Sequence, residues 1–270
     1  MMNLSYGKSV FIAKNYNSTV SKIFHIPSQT WRISKKFDKH TTRLDMIYNE
    51  INNVKLLQPH PNIVHLYEAL EDMNHVYMIT DIYETEVSTL GGHIMEIGYD
   101  PEKDRESELQ LLELVKYMML SLHHCHSHSI IHGDVKPTNF MLAAPNVFST
   151  IQLIDFGSSV NIQSDEYMKL KRTGSYYYAA PESYSATRTF TSDIYSVGVC
   201  IKELLLGHRE SLLTISYTHE ELYTDKRFLK LSPLTKLLIR NMLRIDEKVR
   251  YNAIDVINTV FDIQTKLQSA

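Results

Sequence analysis

The spacing of the apolar residues changes near residue 81, and this change constrains the fold more than any other feature of the chain. Before it, short β-branched and aromatic runs predict strands over residues 10–13, 20–23, 63–67 and 75–80. After it, apolar residues recur every three or four positions, which favours helices. We therefore expect a single α+β domain over residues 1–270, with a strand-rich lobe over 1–81 and a larger helical lobe over 82–270.

The helical pattern also gives the positions of the main helices. One helix is expected inside the first lobe, over residues 43–57. The second lobe should contain a long helix from residue 106 and later helices over 191–206, 231–243 and 252–267.

Residues 30–41 read TWRISKKFDKHT and contain four of the basic residues of the first lobe. A charge cluster between periodic segments is typical of a solvated connector. The sequence therefore predicts a loop over these residues.

The composition is that of a folded soluble protein, with a formal net charge of -3, and it gives no general attraction to nucleic acid or to an anionic membrane. We expect neither as a partner. No apolar stretch reaches the length of about 18 residues that a membrane helix needs, and the first residues lack the apolar core of a signal peptide. Cys125 and Cys200 lie in apolar, helix-like segments, which fits a reducing compartment. The expected location is the cytoplasm, with the nucleus left open.

A polar loop between two apolar runs, over residues 130–142, carries the first sign of chemistry. It contains His132, Asp134, Lys136 and Asn139. An aspartate can accept a proton from a hydroxyl, and an asparagine can hold a metal ion through its side-chain oxygen. Phosphoryl transfer needs such groups, because the protein mainly positions the reactants and neutralises charge.

A second polar segment should lie beside this loop. Asp155 follows a short strand candidate, and the residues between it and Asn139 are enough for a hairpin that returns the chain. Carboxylate and amide oxygens that converge from adjacent strand ends suit Mg²⁺. The two segments together predict a metal site.

Several motifs, in this order and spacing, resemble those of eukaryotic protein kinases. They are HGDVKPTN (132–139), DFG (155–157), AAPES (179–183) and SDIYSVGV (192–199). In the first lobe, Val-Ser-Lys at 20–22 resembles the strand lysine motif, and Glu50 resembles the helix glutamate that pairs with it. Arg250 resembles the arginine that pairs with Glu182. The resemblance implies a bilobal kinase-like fold over the whole chain.

The resemblance also implies roles for the site residues, with ATP and Mg²⁺ as cofactors. Lys22, paired with Glu50, would contact the nucleotide phosphates, and Asn139 and Asp155 would hold Mg²⁺. Asp134 would act as the base, and Lys136 would neutralise the transferred phosphoryl group. Lys136-Pro137 is similar to serine/threonine kinases, so the implied partner is a protein with a serine or threonine acceptor.

The nucleotide pocket follows from the same resemblance. Thr80 would guard the back of the adenine site, and Asp81 and Tyr83 would offer backbone groups to the base. The glycine-rich phosphate loop is reduced to Ser5–Gly7, so the backbone amides of Tyr6 and Gly7 are the expected phosphate contacts. The family's first strand is then almost entirely missing.

Other polar residues have structural interpretations. His132 and Asp193 are expected to tie the loop to the helix beneath it, and the resemblance implies that the Ser175 hydroxyl bridges Asp134 and Lys136. The cluster HHCHSH (123–128) has the composition of a zinc site, but it lies at a helix end that resembles the lead-in to kinase catalytic loops, and packing explains it.

Two departures from the kinase pattern bear on regulation and substrate. Gly133 replaces the arginine that answers an activation-loop phosphate in the family, so we expect activity that does not require phosphate there, including at Thr173. Thr138 replaces a glutamate common in kinases that prefer basic substrates, so a preference for basic peptides is not expected.

Two other functions remain as alternatives. HGD is also the form of this loop in small-molecule phosphotransferases such as aminoglycoside and choline kinases, but these generally lack the Lys-Pro, DFG and APE segments. A pseudokinase scaffold is favoured by the reduced glycine loop and opposed by the survival of the lysine, glutamate, aspartate and asparagine set.

Overall fold

The protein is described by a computed structural model over residues 5–14, 18–82, 104–144, 147–163, 175–185, 188–206 and 218–269. Tyr83 and Thr173, to which the sequence analysis gives a role, lie outside these ranges. Residues 5–82 form a sheet with one helix, and the later residues are mainly helical, as the change of spacing predicts.

The sheet of the first lobe has five antiparallel strands in the order β1-β2-β3-β5-β4. The strands are β1 (Tyr6–Lys14), β2 (Ser18–His25), β3 (Thr30–Asp38), β4 (Leu66–Glu71) and β5 (His75–Thr80). The strand predicted over 75–80 is confirmed, and the one predicted over 63–67 begins three residues later, at Leu66. The expectation that the first strand is missing was wrong, because β1 is nine residues long.

The prediction of a loop over residues 30–41 was also wrong, since β3 occupies the centre of the sheet and pairs with both β2 and β5. Arg32 and Lys35, two basic residues of β3, have partners inside the lobe. The Arg32 guanidinium carbon lies 3.7 Å from the centre of the Tyr67 ring, and Lys35 bonds two carboxylates described below. A charge count alone cannot distinguish such a strand from a solvated connector.

Helix α1 (Leu44–Leu56) confirms the prediction over 43–57 to within one residue at each end. Its buried stripe includes Ile47, Ile51 and Val54, which join the main hydrophobic core. Glu50 lies on the same buried side, so α1 presents one carboxylate to the interior of the molecule.

In the part of the helical lobe that the structure describes, the four predicted helices and two short ones are present. The helices are α2 (Asp104–Ser127), α3 (Phe190–Leu206), α4 (Glu220–Thr224), α5 (Lys226–Lys230), α6 (Pro233–Met242) and α7 (Ala253–Ser269). Helix α3 is buried on nearly every side, which fits the apolar residues spread around it. Among the described residues, no helix combines the length and apolar character needed to cross a membrane.

Two small hairpin-like pairings shape the loop regions of the helical lobe. Strand β6 (Ile130–Ile131) pairs with β9 (Val160–Asn161), and β7 (Phe140–Leu142) pairs with β8 (Ile151–Leu153). All of these strands have buried apolar residues, so the polar loop between β6 and β7 starts and ends in the core. Cys125 and Cys200 are both buried and unpaired.

A stack of histidines joins the loop after α1 to the end of α2. The ring centres of His60 and His124 are 4.1 Å apart, and those of His124 and His128 are 4.4 Å apart. His124 Nε2 also lies 3.0 Å from the carbonyl oxygen of Leu57. Burial, with the neighbouring histidines, lowers the pKa of His60 to about 4, and burial lowers the pKa of His124.

This stack predicts a loss of stability in mild acid. The pKa of His60 is lower in the folded protein than its ordinary value of 6.5, so its contribution is present above pH 6.5 and is lost as the pH falls towards 4. His60→Phe keeps a ring but removes the titration. Between pH 7 and pH 5 the thermal midpoint should fall less in this variant than in the wild type, by about 2–4 °C.

The same change at the exposed His40 is the control, and it should leave the pH dependence of the midpoint unaltered. An equal fall in the His60→Phe variant and the wild type would contradict the interpretation of the stack.

Candidate active site

Lys35 forms the central ion pair of the site. Its Nζ donates hydrogen bonds to Glu50 Oε1 at 2.6 Å and to Asp155 Oδ1 at 2.8 Å. The assignment of this role to Lys22 was wrong, because Lys22 lies on β2 opposite Ile33, whereas Lys35 is the β3 residue that faces both carboxylates. The pairing with Glu50 was predicted correctly for the glutamate and incorrectly for the lysine.

Lys35 favours the ionised form of both carboxylates, but burial and the neighbouring Asp155 still raise the pKa of Glu50 above its ordinary value. Burial alone would lower the pKa of Lys35, but Glu50 and Asp155 raise it above its ordinary value, so the ammonium group is charged. Burial opposes ionisation of Asp155, and Lys35 outweighs it, so the pKa of Asp155 lies below its ordinary value. One cation therefore joins β3, α1 and the residue that starts the DFG segment.

The polar loop after β6 brings Asp134, Lys136 and Ser175 together, but the prediction that the Ser175 hydroxyl contacts both partners was wrong in part, because the hydroxyl contacts Lys136 and the backbone N–H contacts Asp134. Lys136 Nζ donates to Asp134 Oδ2 at 2.8 Å and to Ser175 Oγ at 3.1 Å, and the Ser175 backbone N–H donates to Asp134 Oδ1 at 2.7 Å. Burial raises the pKa of Asp134, but Lys136 and Ser175 outweigh it and lower the pKa below its ordinary value. The carboxylate is thus ionised and oriented.

Asn139 and Asp155 are brought together by the β7–β8 pairing. The Ile154 backbone N–H donates to the Asn139 carbonyl at 2.9 Å, so Asp155 follows directly on a residue bonded to Asn139. The Asn139 side-chain Nδ2 donates to the Asp134 carbonyl at 2.7 Å. A carboxylate and an amide oxygen on adjacent chain segments are hard oxygen donors, and this donor set fits Mg²⁺.

Asp193 holds the loop from below. It is buried on α3 and accepts hydrogen bonds from the backbone N–H groups of His132 and Gly133, each at 2.9 Å, and lies 2.9 Å from His126 Nε2. The His132 ring in turn contacts the Ile154 carbonyl, at 3.1 Å. Both residues therefore have the structural role that the sequence predicts.

The prediction that Tyr6 and Gly7 cover the phosphates was wrong. Tyr6 pairs with His25 in the β1–β2 register, whereas Lys14 pairs with Thr19. The chain therefore leaves β1 for β2 after Lys14, the last residue of the strand, which lies about 26 Å from Tyr6 at the usual rise of a strand. The Tyr6 hydroxyl instead bonds Glu68 and accepts a hydrogen bond from Arg32.

The adenine residues are placed in part. Thr80 is buried at the end of β5, opposite Ile33 of β3, two residues from Lys35. Asp81 accepts a hydrogen bond from the Tyr67 hydroxyl at 2.7 Å, and its own backbone N–H donates to the His65 carbonyl. The roles of Thr80, Asp81 and Tyr83 towards adenine stay predictions.

The expected pair between Glu182 and Arg250 is present. Arg250 Nη1 and Nη2 donate to the two carboxylate oxygens of Glu182 at 2.5 and 3.1 Å, and Arg250 is buried. This bidentate pair fixes the segment after Ser175 to the loop before α7.

Sequence reasoning missed four residues around the DFG segment. Asn49 and Asn53 of α1 donate from their Nδ2 atoms to the Ser159 carbonyl at 2.8 Å and to Ser159 Oγ at 2.9 Å. Arg188 donates to the Ser158 carbonyl at 2.8 Å. Of these four residues, only Lys35 had a signal in the sequence, which is its distance from Glu50. Lys35 precedes Glu50 by 15 positions, whereas Lys22 precedes Glu50 by 28.

Comparison with known proteins identifies the family that these contacts define. The protein kinase domain model matches residues 12–261. The chain therefore belongs to the protein kinase family, whose members generally use ATP and Mg²⁺ to phosphorylate proteins.

Three relatives show the same relationship. The chain is 30% identical over 233 residues to calcium-dependent protein kinase 4 of Plasmodium berghei and to that of Plasmodium falciparum, covering 83% of this chain and 42% of each relative. It is 28% identical over 238 residues to CDPK-related kinase 3 of Arabidopsis thaliana, covering 83% of this chain and 38% of that protein. The chain thus spans about two fifths of the length of these relatives.

The position of the lysine can be tested by nucleotide binding alone. Lys35→Met leaves two carboxylates without their shared cation, so the rise in thermal midpoint caused by Mg·ATP should be lost. Lys22→Met is the matched control on the neighbouring strand, and it should retain the rise. Loss in the Lys22 variant with retention in the Lys35 variant would reverse the assignment.

Proposed function

We propose that this chain transfers the γ-phosphoryl group of ATP to serine or threonine hydroxyls of protein substrates. The observation that carries the proposal is the coexistence of two ordered charge sets. One is Lys35 between Glu50 and Asp155, and the other is Asp134 with Lys136 and Ser175. Together they supply the positioning and the charge stabilisation that phosphoryl transfer requires.

Each set has a defined task in this proposal. Lys35 binds the nucleotide phosphates, and Asn139 and Asp155 are the residues that would hold Mg²⁺, which neutralises phosphate charge when bound. Asp134, ionised and oriented by Lys136 and the Ser175 backbone N–H, accepts the hydroxyl proton. Lys136 lies beside Asp134, where it can also stabilise charge on the transferred group.

The preference for serine and threonine rests on the loop that contains Lys136. Its Nζ bridges Asp134 Oδ2 and Ser175 Oγ, so the lysine joins the base to the segment that positions the peptide. The Lys-Pro dipeptide also resembles that of serine/threonine kinases.

A scaffold without catalysis is the second candidate, and one observation favours it. The connection between β1 and β2 includes Asn-Tyr-Asn at residues 15–17 and contains no glycine. Side chains there restrict how closely backbone amides approach the phosphates. The two candidates differ in transfer, not in nucleotide binding.

Phosphate transfer to a generic protein substrate distinguishes them. The wild type with Mg·ATP should label serine and threonine residues, and Asp134→Asn should reduce the rate by at least about a hundredfold, because the base is lost while the side-chain size is kept. Phosphoamino-acid analysis of the product identifies the acceptor.

The competing outcomes are equally definite. Nucleotide binding with no transfer by the wild type would support the scaffold. Transfer to small alcohols or amines, and not to protein, would support a small-molecule phosphotransferase.

We further propose that activity does not require a phosphate on the segment between the DFG and APE motifs. Thr173→Ala and Ser158→Ala should therefore keep activity within about threefold of the wild type. Ser159→Ala is unsuitable for this test, since the Ser159 hydroxyl is buried, donates to the Phe156 carbonyl at 2.6 Å and accepts from Asn53. Loss in the Thr173 or Ser158 variant, with recovery by Asp in place of Ala, would refute the proposal.

A further inference from the structure

The guanidinium group of Arg188 lies against Gly133, in the space that a side chain at position 133 would need. Gly133 has φ +75°, and a Cβ added to it would lie 2.6 Å from Arg188 Nη1 and 2.8 Å from the Ser158 carbonyl oxygen. Both distances are shorter than non-bonded atoms allow. The guanidinium therefore lies where the side chain of any other residue at position 133 would begin, and the glycine is what admits it.

Arg188 enters this space from a different part of the chain. It precedes α3, after the segment that contains Glu182, and its Nη1 donates to the Ser158 carbonyl at 2.8 Å. Ser158 ends a short 3-10 turn, Phe156–Ser158, that begins immediately after Asp155. The arginine thus holds the metal-binding segment from the side of the large lobe.

The same turn is held from the small lobe by α1. The side chains of Asn49 and Asn53 donate to the carbonyl and the hydroxyl of Ser159. Ser158, the last residue of the turn, is therefore held by Arg188, and Ser159, which follows it, is held by α1.

Burial disfavours the charge of Arg188, and two carboxylates partly offset this effect. Burial lowers the pKa of Arg188 from its ordinary value, and the charges of Asp193 and Asp134 act in the opposite direction. A guanidinium stays charged under such a shift. Arg188 therefore places a positive charge near Asp134 of the catalytic loop and near Asp193 beneath it, without a phosphate group between them.

We propose that Arg188 is a positioning residue that fixes the Asp155 turn against the catalytic loop through the space left by Gly133. It keeps the metal-binding carboxylate in register with Asp134, and it does so without a phosphate between the two segments. The kinetic part of this inference rests on the proposed phosphoryl transfer; the contact itself does not.

Arg188→Ala should lower kcat by about tenfold or more, because a small displacement of a positioned group is costly. The KM for the protein substrate should change less than threefold, and the Mg²⁺ concentration for half-maximal rate should rise. Guanidinium ion at low millimolar concentration should restore part of kcat, since it can occupy the vacated space. Arg188→Lys should lie between the wild type and Arg188→Ala.

Two controls define the specificity of the rescue. Arg105→Ala removes an exposed arginine from the first turn of α2 and should leave kcat and the Mg²⁺ dependence unchanged. Asp134→Asn should not respond to guanidinium ion. Unchanged kcat in Arg188→Ala, or a loss confined to KM, or a loss that guanidinium ion does not restore, would overturn the positioning role.

A double-mutant cycle tests the contact independently of catalysis. Gly133→Ala should lower the thermal midpoint in the wild type, and lower it less in the Arg188→Ala background, because one of the two close contacts is gone. Additive losses would overturn the contact. If the wild type shows no transfer but the cycle is non-additive, the proposed function fails while the contact between Arg188 and Gly133 stands.

Discussion

The shared cation Lys35 is the interaction on which the arrangement of the site depends. It joins β3 and α1 to the turn after β8, which is far from both in the sequence. Removing charged groups from water is costly, and their attraction offsets the cost only when the geometry is good. Glu50 is the buried member of the set, so loss of Lys35 would leave a buried carboxylate without its cation, which is destabilising. The triad therefore forms only when helix and turn are both in place, which couples the two lobes at the point where the nucleotide is expected.

In the large lobe, Asp193 holds the catalytic loop in place, and its partners there are backbone N–H groups. It accepts from two consecutive backbone N–H groups of the catalytic loop, so it fixes the backbone before Asp134 without contacting the base itself. Burial would raise the pKa of Asp193, but His126 and the backbone donors lower it, so the carboxylate stays ionised. Asp134, the proposed base, and the turn after Asp155 are thus supported by separate elements, α3 and α1, and Arg188 contacts the turn at the Ser158 carbonyl.

The sequence predicted the large-lobe part of the site well and the small-lobe part poorly. HGDVKPTN and DFG fold locally, between strands that start and end in the core, so a short motif specifies their geometry. The lysine depends on a sheet register that no local pattern records. Val-Ser-Lys at 20–22 and Ile-Ser-Lys at 33–35 have the same form, and the basic residues around the second favoured a loop. Only pairing with β2 and β5 shows that Lys35 is central.

The assignment of the strand lysine to Lys35, and not to Lys22, also changes which segment is expected to cover the phosphates. With Lys35 as the strand lysine, the hairpin before it is β1–β2, and its connection contains Asn-Tyr-Asn where flexible glycines would be expected. Non-glycine residues restrict the approach of backbone amides to a ligand, so less of the nucleotide's phosphate charge is met by backbone dipoles. Under the proposed function, more of that charge would be met by Lys35 and by the Mg²⁺ that Asn139 and Asp155 would hold. The contacts that fix α1 and the turn after Asp155 consequently bear more directly on nucleotide binding in this chain than in one with a glycine-rich loop.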